Sequence, residues 1–201
     1  MGKGPKIAAL PQSEWTPAVE AIFPILEQPG SPFKGSDFNS LLMMAHHPEI
    51  SVPFLHFNLA AVKGFVLSAR AREIAILRLS WHRRCQYEWV HHLYGGAGAG
   101  LTNEHFAALA RNGIDEIFPP EDRAVILATD DICTGGKLSD HAWDVLRRHF
   151  SDKQIIELIM LIGCFLNVAT LLNSVGVELE PPFLAGAEAK GWPVSFDDAA
   201  E

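Results

Sequence analysis

Apolar residues recur at helical spacing along most of the chain, and no stretch holds the two-residue alternation of a strand over a useful length. The pattern predicts an all-α protein. Residues 37–46, DFNSLLMMAH, read as a helix that Pro48 ends, and residues 53–63 as another stopped by Gly64. Ser68 is the N-cap of a helix reaching His82, along which Ile74, Ile76, Leu77, Leu79 and Trp81 cover a broad apolar face. A tight break at Arg83-Arg84 leads into a second helix. The glycine run at residues 94–100, YGGAGAG, follows that helix rather than a strand, so it reads as a terminator and bend and not as a phosphate loop. Thr102 opens a short helix to about residue 112. Pro119-Pro120-Glu121-Asp122 opens one that stops at Gly135-Gly136, and Ser139-Asp140 opens one to about residue 150. Ser151 and Gln154 form a capping box for a last long helix ending near Val175. The tail after Pro181-Pro182 is expected to be irregular.

Residues 155–172, IIELIMLIGCFLNVATLL, are apolar for long enough to be tested as a membrane span. Glu157 and Asn167 interrupt the run and no basic or aromatic belt flanks it. It reads instead as the centre of a helical domain or a subunit interface. Pro5, Pro11, Pro17, Pro24, Pro29 and Pro32 restrict the first 35 residues to short helical pieces. The expected division is a proline-rich arm over 1–36, a helical domain over 37–181 and the irregular tail over 182–201.

At 201 residues the chain can bury a core without staples, and a net charge of −8 argues against nucleic acid or an anionic membrane surface as partner. Its three cysteines, Cys85, Cys133 and Cys164, form no CxxC pair and no even-numbered framework, which suits a reducing compartment. The first residues lack a signal-peptide core, and Lys6 stands where a myristoylation signal has Ser or Thr. A cytoplasmic location is expected.

The chemistry concentrates in residues 72–92, REIAILRLSWHRRCQYEWVHH. On the second helix Cys85, Glu88, Trp89 and His92 fall within roughly 100° of one another and share a face. Glu88 and His92, four apart, suit a carboxylate that fixes an imidazole for proton transfer. Cys85 is either a small buried apolar side chain or, near the helix N-terminus and beside Arg83, Arg84 and His92, an activated thiol. No ligand spacing supports a metal, and no cofactor is expected.

Glu73, lying twelve positions before Cys85, and His92, lying seven after it, fit the Glu…Cys-x-x-Cys-x-x-x-His frame of the carboxymuconolactone decarboxylase and AhpD-like alkylhydroperoxidase superfamily. Glu88 replaces the second cysteine, so Tyr87-Glu88-Trp89-x-x-His92 resembles the non-redox, decarboxylase-like branch. REIAILRLSW before the site and LNSVGVELEP over residues 172–181 are similar to flanking family segments, extending the resemblance over about residues 41–181. It implies an AhpD-like orthogonal helical bundle that self-associates as a trimer or hexamer. It also implies a pocket on the matched face, where a small molecule binds. The expected activity is that of a lyase acting on a small oxygenated organic acid or lactone. His92 is the acid/base, Glu88 its partner, and Trp89 a substrate-contacting pocket wall or part of the core. Glu73 either contacts His92 across the helix pair or pairs with Arg70 or Arg72. The alternatives are a thiol-dependent alkylhydroperoxidase-like enzyme using Cys85 and a non-catalytic oligomeric binding protein.

Overall fold

The structure, a computed structural model, describes residues 4–27, 32–64, 66–114 and 116–196. These form ten α-helices and no strand: α1 (Pro17–Glu20), α2 (Asn39–Met44), α3 (Pro48–Lys63), α4 (Ala69–His82), α5 (Gln86–Gly98), α6 (Asn103–Leu109), α7 (Pro120–Gly135), α8 (Asp140–Leu146), α9 (Asp152–Val175) and α10 (Pro181–Ala189). The predicted all-α class is the observed one.

Helix α4 is the axis of the bundle. Every residue from Ile74 to Ser80 is buried, because α5, α6, α7 and α9 close around it. Ser68 caps it by accepting the Ala71 N–H at 3.1 Å. Arg78 is only 2% exposed, yet it is fully engaged. Its guanidinium forks onto Asp130 of α7 at 2.6 and 2.8 Å and donates to the carbonyls of Leu109, at the end of α6, and of Arg111 and Gly113 just after it. One buried cation thereby joins three elements.

Helix α9 begins with the predicted capping box, but it is a side of the bundle rather than its centre. Ile155, Leu158, Ile162, Phe165, Ala169 and Leu172 face inward against α3 and α4, while Ile156 and Met160 lie on the outer surface. By length and composition α9 is the one helix among the described residues apolar enough to cross a membrane, and 44% of its most apolar window is buried in this fold.

Three boundaries differ from expectation, each because of proline or glycine. Pro48 does not merely end α2; it starts α3 at the first helical position, where a missing N–H is no loss, and the helix then runs through Pro53. The tail expected to be irregular from residue 182 instead begins as a helix, α10, again with its proline pair at the first turn. The glycine run does end α5, but later than expected: the helix continues through Gly95 and Gly96 to Gly98, and the chain turns at Gly100 with φ 83°. A Cβ at Gly96 would stand 2.9 Å from Phe106 and 3.1 Å from Leu77, so this glycine lets α5 approach α4 and α6 closely. The α4–α5 break is as predicted, with Arg84 in the left-handed region at φ 52°.

The N-terminal arm packs on its own domain. Leu10, Val19, Ile22 and Phe23 form a second small core with Leu41, Ala45 and Leu55, and Leu26 reaches the pocket described next. Pro29, among the arm's predicted breakers, lies outside the described residues.

Candidate active site

A cavity of about 220 Å³ opens where α5 meets α2, α3 and α9. Leu41, Phe54, Leu55, Phe165, Val168 and Leu172 supply much of its apolar wall. Its polar end is made by Ser40, Asn58, Tyr87, Glu88, His91 and His92. A dry cavity of roughly 150 Å³ takes benzene, so this one has room for a substituted ring.

The pocket-facing stripe of α5 is Tyr87, Glu88, His91 and His92, two pairs at i and i+4. It is turned from the face drawn through Cys85 and Trp89, and those two residues point into the protein instead. Trp89 is fully buried, donates its indole N–H to the Pro193 carbonyl and stacks edge-on with Phe196. It anchors the C-terminal segment and is not a pocket wall. Cys85 is also fully buried, at the N-cap of α5. Burial, reinforced by the neighbouring Glu88 carboxyl, pushes its thiol far above the usual range. The activating setting read from sequence is therefore reversed. Arg83 and Arg84 turn away from the thiol, to the carbonyls of Cys133 and Phe196.

His92 is held by Glu73, with Nδ1 2.8 Å from Oε2. The expected partnership of His92 with Glu88 is not made. Of the two alternatives for Glu73, the contact across the α4–α5 pair is the observed one. Arg70 binds Asp122 at 2.7 Å, and Arg72 donates to the Leu67 carbonyl. Facing a carboxylate, Nδ1 carries the proton, and Nε2 keeps its lone pair. Gly95, one turn beyond His92, makes room for this: a Cβ there would come within 2.7 Å of the Glu73 carboxyl. Gly95→Ala is therefore expected to push the flexible Glu73 side chain off His92, lowering activity while leaving the melting temperature nearly unchanged. Kinetics and thermal denaturation of that variant check both halves of the expectation.

Glu88 is 3% exposed, and neither carboxyl oxygen has a hydrogen-bond partner. The Asn58 amide, also on the pocket, is turned to the Cys164 sulfur at 3.6 Å. Burial raises the Glu88 pKa well above the ordinary 4.5, with the nearby Cys85 thiol offsetting it only in part. An acid held protonated by the fold costs stability once the unfolded chain would ionise. Relative to wild type, Glu88→Gln should thus show no benefit at low pH and a growing one as pH rises above about 4.5. Melting temperatures of both proteins across pH test the sign.

Sequence reasoning missed a second carboxylate-held imidazole beside the first. His91 Nε2 lies 2.8 Å from Glu180, whose other oxygen accepts from the Tyr87 hydroxyl and the Asn39 N–H, both at 2.7 Å. Burial alone would raise the Glu180 pKa, but these hydrogen bonds outweigh it and hold the carboxyl below its usual range. The ring of His91 lies against Tyr87 and Phe183, with centroids 4.6 and 4.3 Å away. The available signal was the Tyr87–His91 spacing, which repeats the Glu88–His92 spacing one residue earlier.

Residues 48–131 match the carboxymuconolactone decarboxylase family, a span containing Glu73, Cys85, Glu88 and His92. Among curated proteins none matches the sequence. Solved structures do resemble the fold. An alkylhydroperoxidase AhpD core, an uncharacterized peroxidase-related protein from Ralstonia eutropha JMP134, superposes with a TM-score of 0.76 at 19% identity, over 91% of this chain and 96% of that one. The debrominase Bmp8, in a cysteine-to-alanine variant complexed with 2,3,4-tribromopyrrole, gives 0.74 at 16% identity, over 92% and 96%. An Agrobacterium tumefaciens protein of unknown function, put forward as an AhpD antioxidant-defence protein, gives 0.62 at 20% identity, over 67% and 93%. At these identities the likeness is one of fold. Residues 48–131, from α3 into α7, thus carry the sequence pattern of the carboxymuconolactone decarboxylase family, and the bundle around them has the AhpD-like fold.

Proposed function

We propose that the protein is a lyase-type enzyme that moves a proton on a small oxygenated organic acid or lactone held in the α2–α3–α5–α9 pocket. The observation that carries this reading is the Glu73–His92 pair, 2.8 Å apart, at the polar end of an otherwise apolar cavity. His92 Nε2 is the base, removing a proton next to the substrate carbonyl. Glu73 fixes the tautomer and balances the imidazolium that forms. Glu88, as a neutral acid, donates to the carbonyl oxygen on which negative charge develops. The imidazolium then gives its proton to a different carbon of the enol, completing an isomerisation, or to the leaving oxygen as the Cβ–O bond breaks and the C=C forms, completing an elimination. Glu88 is thus a donor in its own right rather than the partner of His92.

The thiol reading has less support. Cys85, Cys133 and Cys164 are all buried and unbridged, and burial raises the pKa of each.

The test is deuterium incorporation. The protein is incubated in D₂O with small lactones, ketones, β-keto acids and phenols, and mass spectrometry follows label gain or CO₂ loss. Label that enters with wild type and is lost in His92→Ala supports the reading. Label or CO₂ loss undiminished in His92→Ala overturns it.

A further inference from the structure

The polar end of the pocket is rich in acids and their partners. His92 is bound to Glu73, while His91 and Tyr87 are bound to Glu180. Glu88 adds a third carboxyl group, inside the lining itself. Among the described residues no lysine or arginine lines the pocket, and Arg70 is held by Asp122 while Arg72, Arg83 and Arg84 donate to main-chain carbonyls. A carboxylate entering here would be stripped of water beside these acids with no lysine or arginine to receive it and with both imidazoles already facing carboxylates, which a buried charge does not tolerate well.

The second observation is Glu88 itself. Both its oxygens are sealed from solvent and lack any hydrogen-bond partner, whereas buried polar groups ordinarily have one. A ligand with an acceptor for the acid O–H, or an adjacent donor for its carbonyl oxygen, supplies what the protein does not. The rest of such a ligand meets Phe54, Leu55, Phe165 and Val168, which are apolar.

We infer that the pocket selects an uncharged molecule, with an apolar body of about one ring against α3 and α9 and a carbonyl, amide or lactone head paired with Glu88. The inference rests on this pocket being the reacting site, and it narrows the proposed chemistry. A neutral lactone or ketone fits, and a free acid does not, so proton transfer serves rearrangement or elimination rather than loss of CO₂ from a bound carboxylate.

Benzamide and benzoate make a matched pair, nearly identical in shape and differing in charge. Titrated into the full chain at neutral pH by calorimetry or ligand-observed NMR, benzamide should bind at least about tenfold more tightly than benzoate. That is the scale of one satisfied buried hydrogen bond. Glu88→Leu, which removes a buried polar group and so should fold at least as well, should weaken benzamide by a similar factor. Glu88→Gln, still a neutral donor, should retain the preference for the amide. Benzoate binding as well as benzamide, benzamide binding untouched in Glu88→Leu, or no binding of benzamide at all would each overturn the inference. This result is separable from the catalytic one. Deuterium exchange lost in His92→Ala with no amide preference leaves the acid–base reading standing without the selectivity, and the converse leaves the selectivity alone.

Discussion

Replacing His92 with alanine is expected to lower turnover by about 10² to 10⁴-fold, the range that a positioned acid–base group contributes. Substrate affinity should change much less, because most of the cavity wall is apolar and does not depend on the imidazole. Folding should survive as well, since His92 lines the pocket, where its ring is bonded to Glu73 and packs edge-on against Phe165. Glu73→Gln should also slow turnover. A glutamine in that position accepts from Nδ1 only in one amide orientation, and in the other it selects the wrong tautomer. Steady-state kinetics with the best substrate from the deuterium panel read both variants. Full activity in His92→Ala would place the chemistry elsewhere in the molecule.

The largest effect on stability is expected at Arg78, far from the pocket. Arg78→Met removes the guanidinium that satisfies Asp130 and the carbonyls of Leu109, Arg111 and Gly113. His82, 2.7 Å from Asp130, remains as partial compensation. Breaking one side of a buried ion pair costs about 3–5 kcal/mol, because the other charge is left uncompensated. Urea denaturation should show a loss of that order, and Asp130→Asn in the same chain should restore part of it. A loss below about 1 kcal/mol would mean that the buried network is not holding α4, α6 and α7 together.

Much of the fold was legible because the signals are local. The Ser68 cap, the Ser151–Gln154 box and the Arg83-Arg84 break are set by neighbours within one turn. What misled were residues with two uses. Pro48 and Pro181 begin helices as readily as they end them, and Gly95 and Gly96 permit close packing where a terminator was expected. Which of two apolar helices becomes the axis also depends on tertiary packing. The run in α9 is the longer, but α4 is the one enclosed.

The candidate site divides in the same way. Spacing placed Glu88 and His92 on one helix face, and both do line the pocket. Spacing did not reveal that His92 turns to Glu73 on α4, leaving Glu88 without a partner. The pocket face of α5 is offset by about one residue from the face that spacing picks out, so Trp89 is buried in the protein while Tyr87 and His91 line the pocket. Glu180 is out of reach of local reasoning, since its partners Asn39, Tyr87 and His91 come together only when α2, α5 and α10 pack.

The central claim is that Glu73 sets His92 as a base with Nε2 bare toward the pocket. The most direct test is long-range ¹⁵N–¹H NMR on histidine-labelled protein, with His92 assigned by comparison with His92→Gln and the pH chosen so that the ring is neutral. The account predicts that Nδ1 carries the proton and Nε2 does not, and that Glu73→Gln disturbs this preference. A neutral ring protonated on Nε2, unmoved by Glu73→Gln, would contradict it.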